Sequence, residues 1–263
     1  MVNKNNLKTK NKGNVKVAVM LSGGLDSRLA LKLMQEQLGE ENVVCLFFKL
    51  PFGAGCCHEG CSFNFAQTQG SKLEFFDCTK GKLLKDYLQI LKNPQFGRGK
   101  GVNPCIDCRL FMLKRAKKYI EKNNIDMVVT GEVLGERPMS QKSKSLKIIE
   151  EEAGLKGRLL RPLSAKVLEE TEVEKKGLVD REKFLDIEGR QRQKQMALAE
   201  KYGISYPTPA GGCLLCEKFL KKRFTKLIQN NLIDEKTLPL ASIGRHFYLS
   251  EENGDKWFIV GRD

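Results

Sequence analysis

Two sets of side chains in this sequence could do chemistry, and the chemistries differ. The first is Ser22-Gly23-Gly24-Leu25-Asp26-Ser27, set between the apolar run Val15 to Leu21 and the helically spaced stretch Arg28 to Met34. Adjacent glycines let the backbone turn without a Cβ penalty and bring several N–H groups close to an anion, while the following helix adds the positive end of its dipole. This is a phosphate cradle. No Gly-Lys-Ser/Thr follows, so no lysine is positioned for a γ-phosphate as in a Walker loop. The second set is thiols. Asn103-Pro104-Cys105-Ile106-Asp107-Cys108-Arg109 opens a segment with Ile106, Leu110, Leu113, Ala116 and Ile120 on one helical face. Cys105 and Cys108 therefore fall on a first helical turn, where the dipole favours thiolate, the form that attacks sulfur or binds metal. Ala210-Gly211-Gly212-Cys213-Leu214-Leu215-Cys216 carries a second C-x-x-C spacing. Two such pairs admit a Cys₄ zinc site, a redox pair or a sulfur-handling site. A third cluster, Cys56, Cys57, His58 and Cys61 in a glycine-punctuated loop, reads either as a metal site or as a loop over the nucleotide.

The elements that must position these groups alternate. Val43 to Leu50 is a continuous apolar run suited to a strand covered on both faces, Leu73 to Asp77 reads as a third strand, and Leu83 to Leu91 as a helix ending before Pro94. Met127 to Thr130 and Leu159 to Leu163 complete the strands, with helices around Leu146 to Ala153 and over Glu188 to Tyr202. Such alternation predicts an α/β fold, a doubly wound and mostly parallel sheet whose ligand site lies at the carboxyl ends of its strands. Three parts are expected: a disordered basic arm over 1–14, a catalytic domain over 15–216 and a small basic α+β module over 217–263. In the last, Lys218 to Lys226 forms a basic helix, and Ile243 to Leu249 with Lys256 to Arg262 a β-hairpin.

Forty-six Lys and Arg against thirty-two Asp and Glu give a formal charge of +14, which favours a polyanionic partner and fits RNA better than an acidic small molecule. No apolar run approaches the roughly 18 residues of a membrane span, and the start of the chain lacks the apolar segment of a secretory signal. A cytoplasmic protein is expected. In that reducing setting, nine cysteines are ligands or redox groups rather than a disulfide framework.

The hexapeptide Ser22 to Ser27 resembles the PP-loop of ATP pyrophosphatases of the adenine nucleotide alpha hydrolase type, which cleave ATP between the α and β phosphates and transfer AMP to an oxygen of their substrate. Beyond it, Cys108-Arg109 with Met112, Arg115 and Ala116, then Thr130-Gly131-Glu132, Leu134-Gly135, Ser140-Gln141 and Arg161-Pro162-Leu163, resemble in order and spacing the catalytic half of the tRNA 4-thiouridine synthetases. That likeness spans roughly Val15 to Cys213. It implies ATP and Mg²⁺ as cofactors, tRNA as substrate, and Ser22, Gly23, Gly24, Asp26, Ser27, Phe48, Gly131 and Glu132 as nucleotide-binding residues. Asp26 would be catalytic with Cys105, Cys108 and Cys213. The two Gly-Arg pairs and the aromatics of the tail resemble an NFACT-type RNA-binding module.

The reaction so implied is base thiolation: a uridine oxygen is adenylated, and a sulfur nucleophile then displaces AMP. In thiolases of this kind a 4Fe-4S cluster is held by a C-x-x-C pair and one late cysteine, here Cys105, Cys108 and Cys213, which leaves Cys216 surplus. The alternative is a persulfide resolved by a second thiol, as in synthetases supplied by a rhodanese domain; no rhodanese segment stands in these residues, which favours the cluster. Zinc, or no metal, is the remaining option at the cysteines. The sulfur donor would be a cysteine desulfurase or inorganic sulfide, and a homodimer is compatible with the sequence. The 4-thiouridine reading stands beside a 2-thiouridylase, beside a PP-loop enzyme of small molecules, and beside a non-catalytic RNA-binding protein regulated by ATP.

Overall fold

Val17–Met20 forms the first strand, β1, with all four residues buried, as a strand covered on both faces requires. It pairs in parallel with β2, Val43–Lys49, on one side and with β4, Met127–Thr130, on the other, in the registers Val17↔Val43 and Val17↔Met127. β4 pairs in parallel with β5, Leu159–Leu160, and β3, Lys72–Asp77, closes the opposite edge. The sheet order is β3-β2-β1-β4-β5, so the winding reverses between β1 and β4. That reversal is the topological switch point, where ligands bind in open α/β sheets. The loops leaving β1 and β4 are the cradle and the stretch from Gly131 to Gln141.

The computed structural model describes residues 15–53, 59–208, 212–251 and 254–261. The basic arm of 1–14, Cys56, Cys57, His58, Ala210, Gly211 and Arg262 lie outside them. Among the described residues no helix is long and apolar enough to cross a membrane.

The chain divides into two compact units. The first comprises Met1–Phe48, Gly55–Phe76 and Arg109–Ala210 and contains the sheet apart from the ends of β2 and β3. Its α1, Leu25–Leu38, packs against β1, β4 and α7, Gln193–Lys201, and the core runs from Val17 and Val19 through Leu29, Met34 and Val129 to Ala199. Two of the expected elements are shorter here. The helix expected from Glu188 begins only at Gln193, because Glu188 bridges to Leu134 and the Gly189 N–H bonds the Leu134 carbonyl. β5 stops at Leu160 ahead of Pro162, which has no N–H to donate to a ladder.

The second unit is not a simple C-terminal piece: it joins Lys49–Ala54 and Asp77–Cys108 to Gly211–Asp263. Composition changes at residue 217, but packing ignores that change. Phe52 meets Phe224 edge-on with ring centroids 5.1 Å apart, the Leu214 N–H bonds the Phe52 carbonyl, and α3, Gly81–Lys92, packs on α8, Lys221–Gln229. A short 3₁₀ turn, Lys218–Leu220, precedes α8, so the basic helix starts three residues later than expected. β6, Arg245–Glu251, and β7, Gly254–Val260, form the hairpin as an antiparallel pair.

Candidate functional site

The cradle lies in the first unit. Gly23 has φ +83°, a backbone state that a residue with a Cβ rarely adopts, so the turn requires glycine there. Gly24 is different. Its φ is −76°, and an added Cβ would find only the Ser22 hydroxyl at 3.7 Å, so neither strain nor packing demands glycine. A bare Cα at that point leaves room for a ligand. Gly24 is also the N-cap of α1, and no side chain caps it, although the first four N–H groups of a helix have no partner within it. The Ser27 hydroxyl turns back onto the Gly24 carbonyl at 2.9 Å and receives Ser22 at 3.2 Å, which holds the loop open as an anion nest.

Sequence reasoning passed over the brace beneath this loop. Arg28, only 5% exposed, donates to the carbonyls of Gly23 at 2.6 Å and Ser205 at 2.9 Å and to the Cys61 sulfur at 2.8 Å, and its guanidinium lies 4.3 Å from the Phe65 ring centroid. Cys61, counted in the sequence among possible metal ligands, stands on α2, Glu59–Thr68, as an acceptor for this arginine.

Asp26 meets the cradle from the first turn of α1. Burial, and then the nearby Glu136 carboxylate, raise its carboxyl to about 6, against the pull of Arg192, Arg137 and Gln195. Its Oδ1 is buried without a hydrogen-bond partner, as are Glu136 Oε2 and both side-chain polar atoms of Gln195. Arg192, at the N-cap of α7, forms an ion pair with Glu136. A hard divalent cation takes carboxylate and amide oxygens of this kind.

Gly131 and Glu132 follow β4. A Cβ on Gly131 would sit 2.5 Å from the carbonyl carbon of Asp26 and 2.6 Å from the Ser27 nitrogen, so glycine is what lets the two switch-point loops touch. Glu132, 2% exposed, receives Arg161 at 3.1 Å and Thr130 at 3.2 Å and faces Arg109 at 3.4 Å; it organises arginines at the strand end. Phe48, at the carboxyl end of β2, stacks its ring on Phe76 with centroids 4.4 Å apart.

The thiols gather in the second unit. Cys105 and Cys108 occupy the first turn of α4, Cys105–Lys122, and Cys213 is the N-cap of the 3₁₀ turn Leu214–Cys216, which Cys216 ends. Two ties join these stretches. The Val102 N–H bonds the Leu215 carbonyl at 2.9 Å, and the nearly buried Asn103 amide donates to the sulfurs of both Cys105, at 3.1 Å, and Cys216, at 2.8 Å. Gly101 permits the approach, because a Cβ there would lie 2.2 Å from the Leu215 oxygen. The Cys213 and Cys216 sulfurs are 4.0 Å apart, and the Tyr87 hydroxyl shares a 3.5 Å contact with Cys108. Burial and the neighbouring Cys216 and Cys108 push the Cys213 thiol up to about 12. Two of the stretches that make up this unit, Lys49–Ala54 and Asp77–Cys108, follow the carboxyl ends of β2 and β3, and Cys216 is as much a member of the gathering as the other three.

Among the described residues no three His, Cys, Asp or Glu side chains are placed to hold a single metal ion. The gathered thiols fit an iron–sulfur cluster by donor type, since such clusters are held by thiolates. The orphaned Asp26 and Glu136 oxygens fit Mg²⁺ by the same test.

No curated protein matches the chain. The family model described as Thiamine biosynthesis protein (ThiI) matches residues 13–173. That match runs from just before β1 through β5 and takes in the cradle, Cys105, Cys108, Gly131 and Glu132. With more than half of its length matched, and with the parallel sheet and switch-point cradle that a PP-loop domain needs, the chain belongs to the ThiI family of thiamine and tRNA 4-thiouridine synthesis.

Proposed function

We propose that, within the sulfur transfer to tRNA that membership of this family implies, the chain adenylates the O4 oxygen of a uridine with ATP and exchanges it for sulfur, giving 4-thiouridine. The observation that carries this reading is the gathering of four thiols from two distant stretches around Asn103, in a chain that also holds an uncapped glycine cradle.

In the first half-reaction the unsatisfied N–H groups at the start of α1, with Ser22 and Ser27, hold the β and γ phosphates while the uridine oxygen attacks the α phosphorus; pyrophosphate leaves and AMP stays on the base. Asp26 and Glu136 would hold Mg²⁺, which when bound neutralises charge building on the pyrophosphate. Phe48, Gly131 and Glu132 complete the nucleotide site in this reading. In the second half-reaction a carbon–sulfur bond forms at the activated carbon and the bond to the AMP oxygen breaks. Cys105, Cys108 and Cys213 would hold a 4Fe-4S cluster, which when bound supplies an iron able to carry sulfide drawn from a desulfurase or from inorganic sulfide.

One observation favours a second route. Cys213 and Cys216 stand 4.0 Å apart, so a persulfide on Cys213 can give its outer sulfur to the base while Cys216 closes a disulfide on the inner one, with a dithiol needed to reset the pair.

Nucleoside analysis of tRNA from cells with and without the gene tests the proposal. Loss of 4-thiouridine is expected; loss of 2-thiouridine would move the chemistry to the other oxygen, and an unchanged nucleoside profile would refute it. With purified protein and tRNA, ATP should yield AMP and pyrophosphate, and ADP as the main product would remove the first half-reaction.

A further inference from the structure

The hairpin of the second unit has two unlike faces. On one, Tyr248 lies across from Trp257 and His246 from Ile259, all half-buried. This face packs inward: the Trp257 indole donates to His246 Nδ1 at 3.1 Å, Lys226 of α8 stands 4.7 Å from the Tyr248 ring centroid, and Arg223 donates to the Gly244 carbonyl at 2.8 Å. Alternation along a strand should then make the other face polar. It is not. Among its described side chains, Phe247 lies directly across from Phe258, Leu249 from Lys256, and Val260 from Arg245. Phe247 is 50% exposed, Phe258 45%, Leu249 53% and Val260 55%.

The geometry points to this outer face as a platform on which unpaired RNA bases stack, an inference that rests on the reading of the chain as a protein that acts on RNA. Cross-strand phenylalanines on an exposed two-stranded surface offer π-faces to any base, and the same row carries Arg245 and Lys256 beside them, suited to the phosphates between stacked bases. The occupant follows from charge. A chain of +14 attracts a polyanion, whereas a second copy laid on this face would bring Arg245 and Lys256 against their own kind. Tyr248 and Trp257 already anchor the hairpin from its inner face, so packing gives no reason for a second aromatic pair on the solvent side.

The test uses the full chain, without ATP or a sulfur donor, and measures binding to an unstructured oligouridylate and to a tRNA transcript by fluorescence anisotropy over a range of salt. Phe247→Leu and Phe258→Leu keep apolar bulk but remove the π-face, and both positions are exposed enough for the fold to persist, which thermal unfolding checks. Each is expected to weaken oligouridylate binding roughly 5- to 100-fold while leaving the salt slope unchanged. Arg245→Gln should instead lower the log–log salt slope by about 0.7. Leucine variants that bind like the wild type would overturn the inference. So would unchanged RNA binding together with a shift in sedimentation, because the face would then join two copies. Because no thiolation is measured, a protein that binds RNA through these rings yet modifies no uridine would retire the proposed reaction and leave the platform standing.

Discussion

Asp26→Asn should make the protein more stable at pH 8 while removing adenylation, an unusual combination that follows from the carboxyl's surroundings. Unfolded, this group ionises near 3.8; folded, burial and Glu136 hold it at about 6. Between those values the folded chain keeps a proton that the unfolded chain has already lost, so stability falls as pH rises from about 4 to about 6 and stays lower above that. The difference corresponds to about 3 kcal/mol between the two protonation states. An amide of the same shape carries no ionisation cost, so the variant should gain about 2–3 kcal/mol at pH 8 and almost nothing below pH 4. Urea unfolding of both proteins across that range measures it. Adding ATP with Mg²⁺ should narrow the gap, because ligand binding stabilises only the protein that binds it. A difference that does not change with pH, or a variant less stable at pH 8, would refute the account of Asp26 as a carboxylate held above its ordinary range for a cation or nucleotide.

Three further outcomes are expected. Gly131→Ala places a methyl against the backbone of Asp26 and Ser27, so urea unfolding should show a loss of about 1–3 kcal/mol, and equilibrium dialysis a loss of ATP binding. Glu132→Gln leaves the 5%-exposed Arg161 with only Glu150, 3.2 Å away, as a counter-charge and should cost about 3 kcal/mol by the same measurement; a change under about 0.5 kcal/mol would show that Glu132 does not organise the strand end. After anaerobic reconstitution, iron analysis should find the metal lost in Cys105→Ser, Cys108→Ser and Cys213→Ser but retained in Cys216→Ser; stoichiometric zinc that requires Cys216 would replace the cluster with a Cys₄ site.

The sequence alone determined the α/β class, the five strands and the cradle, because these rest on local causes. A buried strand needs consecutive apolar residues, as in Val17–Met20 and Met127–Thr130, and a phosphate turn needs glycines at fixed offsets. Cys105 and Cys108 on a first helical turn were legible in the same way, from the spacing that follows them. What only the tertiary structure decided are encounters between residues far apart in the chain. Arg28 reaching Ser205 and Cys61, Arg192 pairing with Glu136, and Gly131 lying against Asp26 leave no trace in any window of neighbouring residues. The same holds for the second unit, where Phe52 and Phe224 pack together although the composition between them changes abruptly. Cys216 shows the difference most plainly. The three-cysteine cluster that the resemblance implies left it surplus, but the Asn103 amide, 113 residues away in sequence, donates to its sulfur as well as to that of Cys105, and only folding sets which of many distant pairs meet.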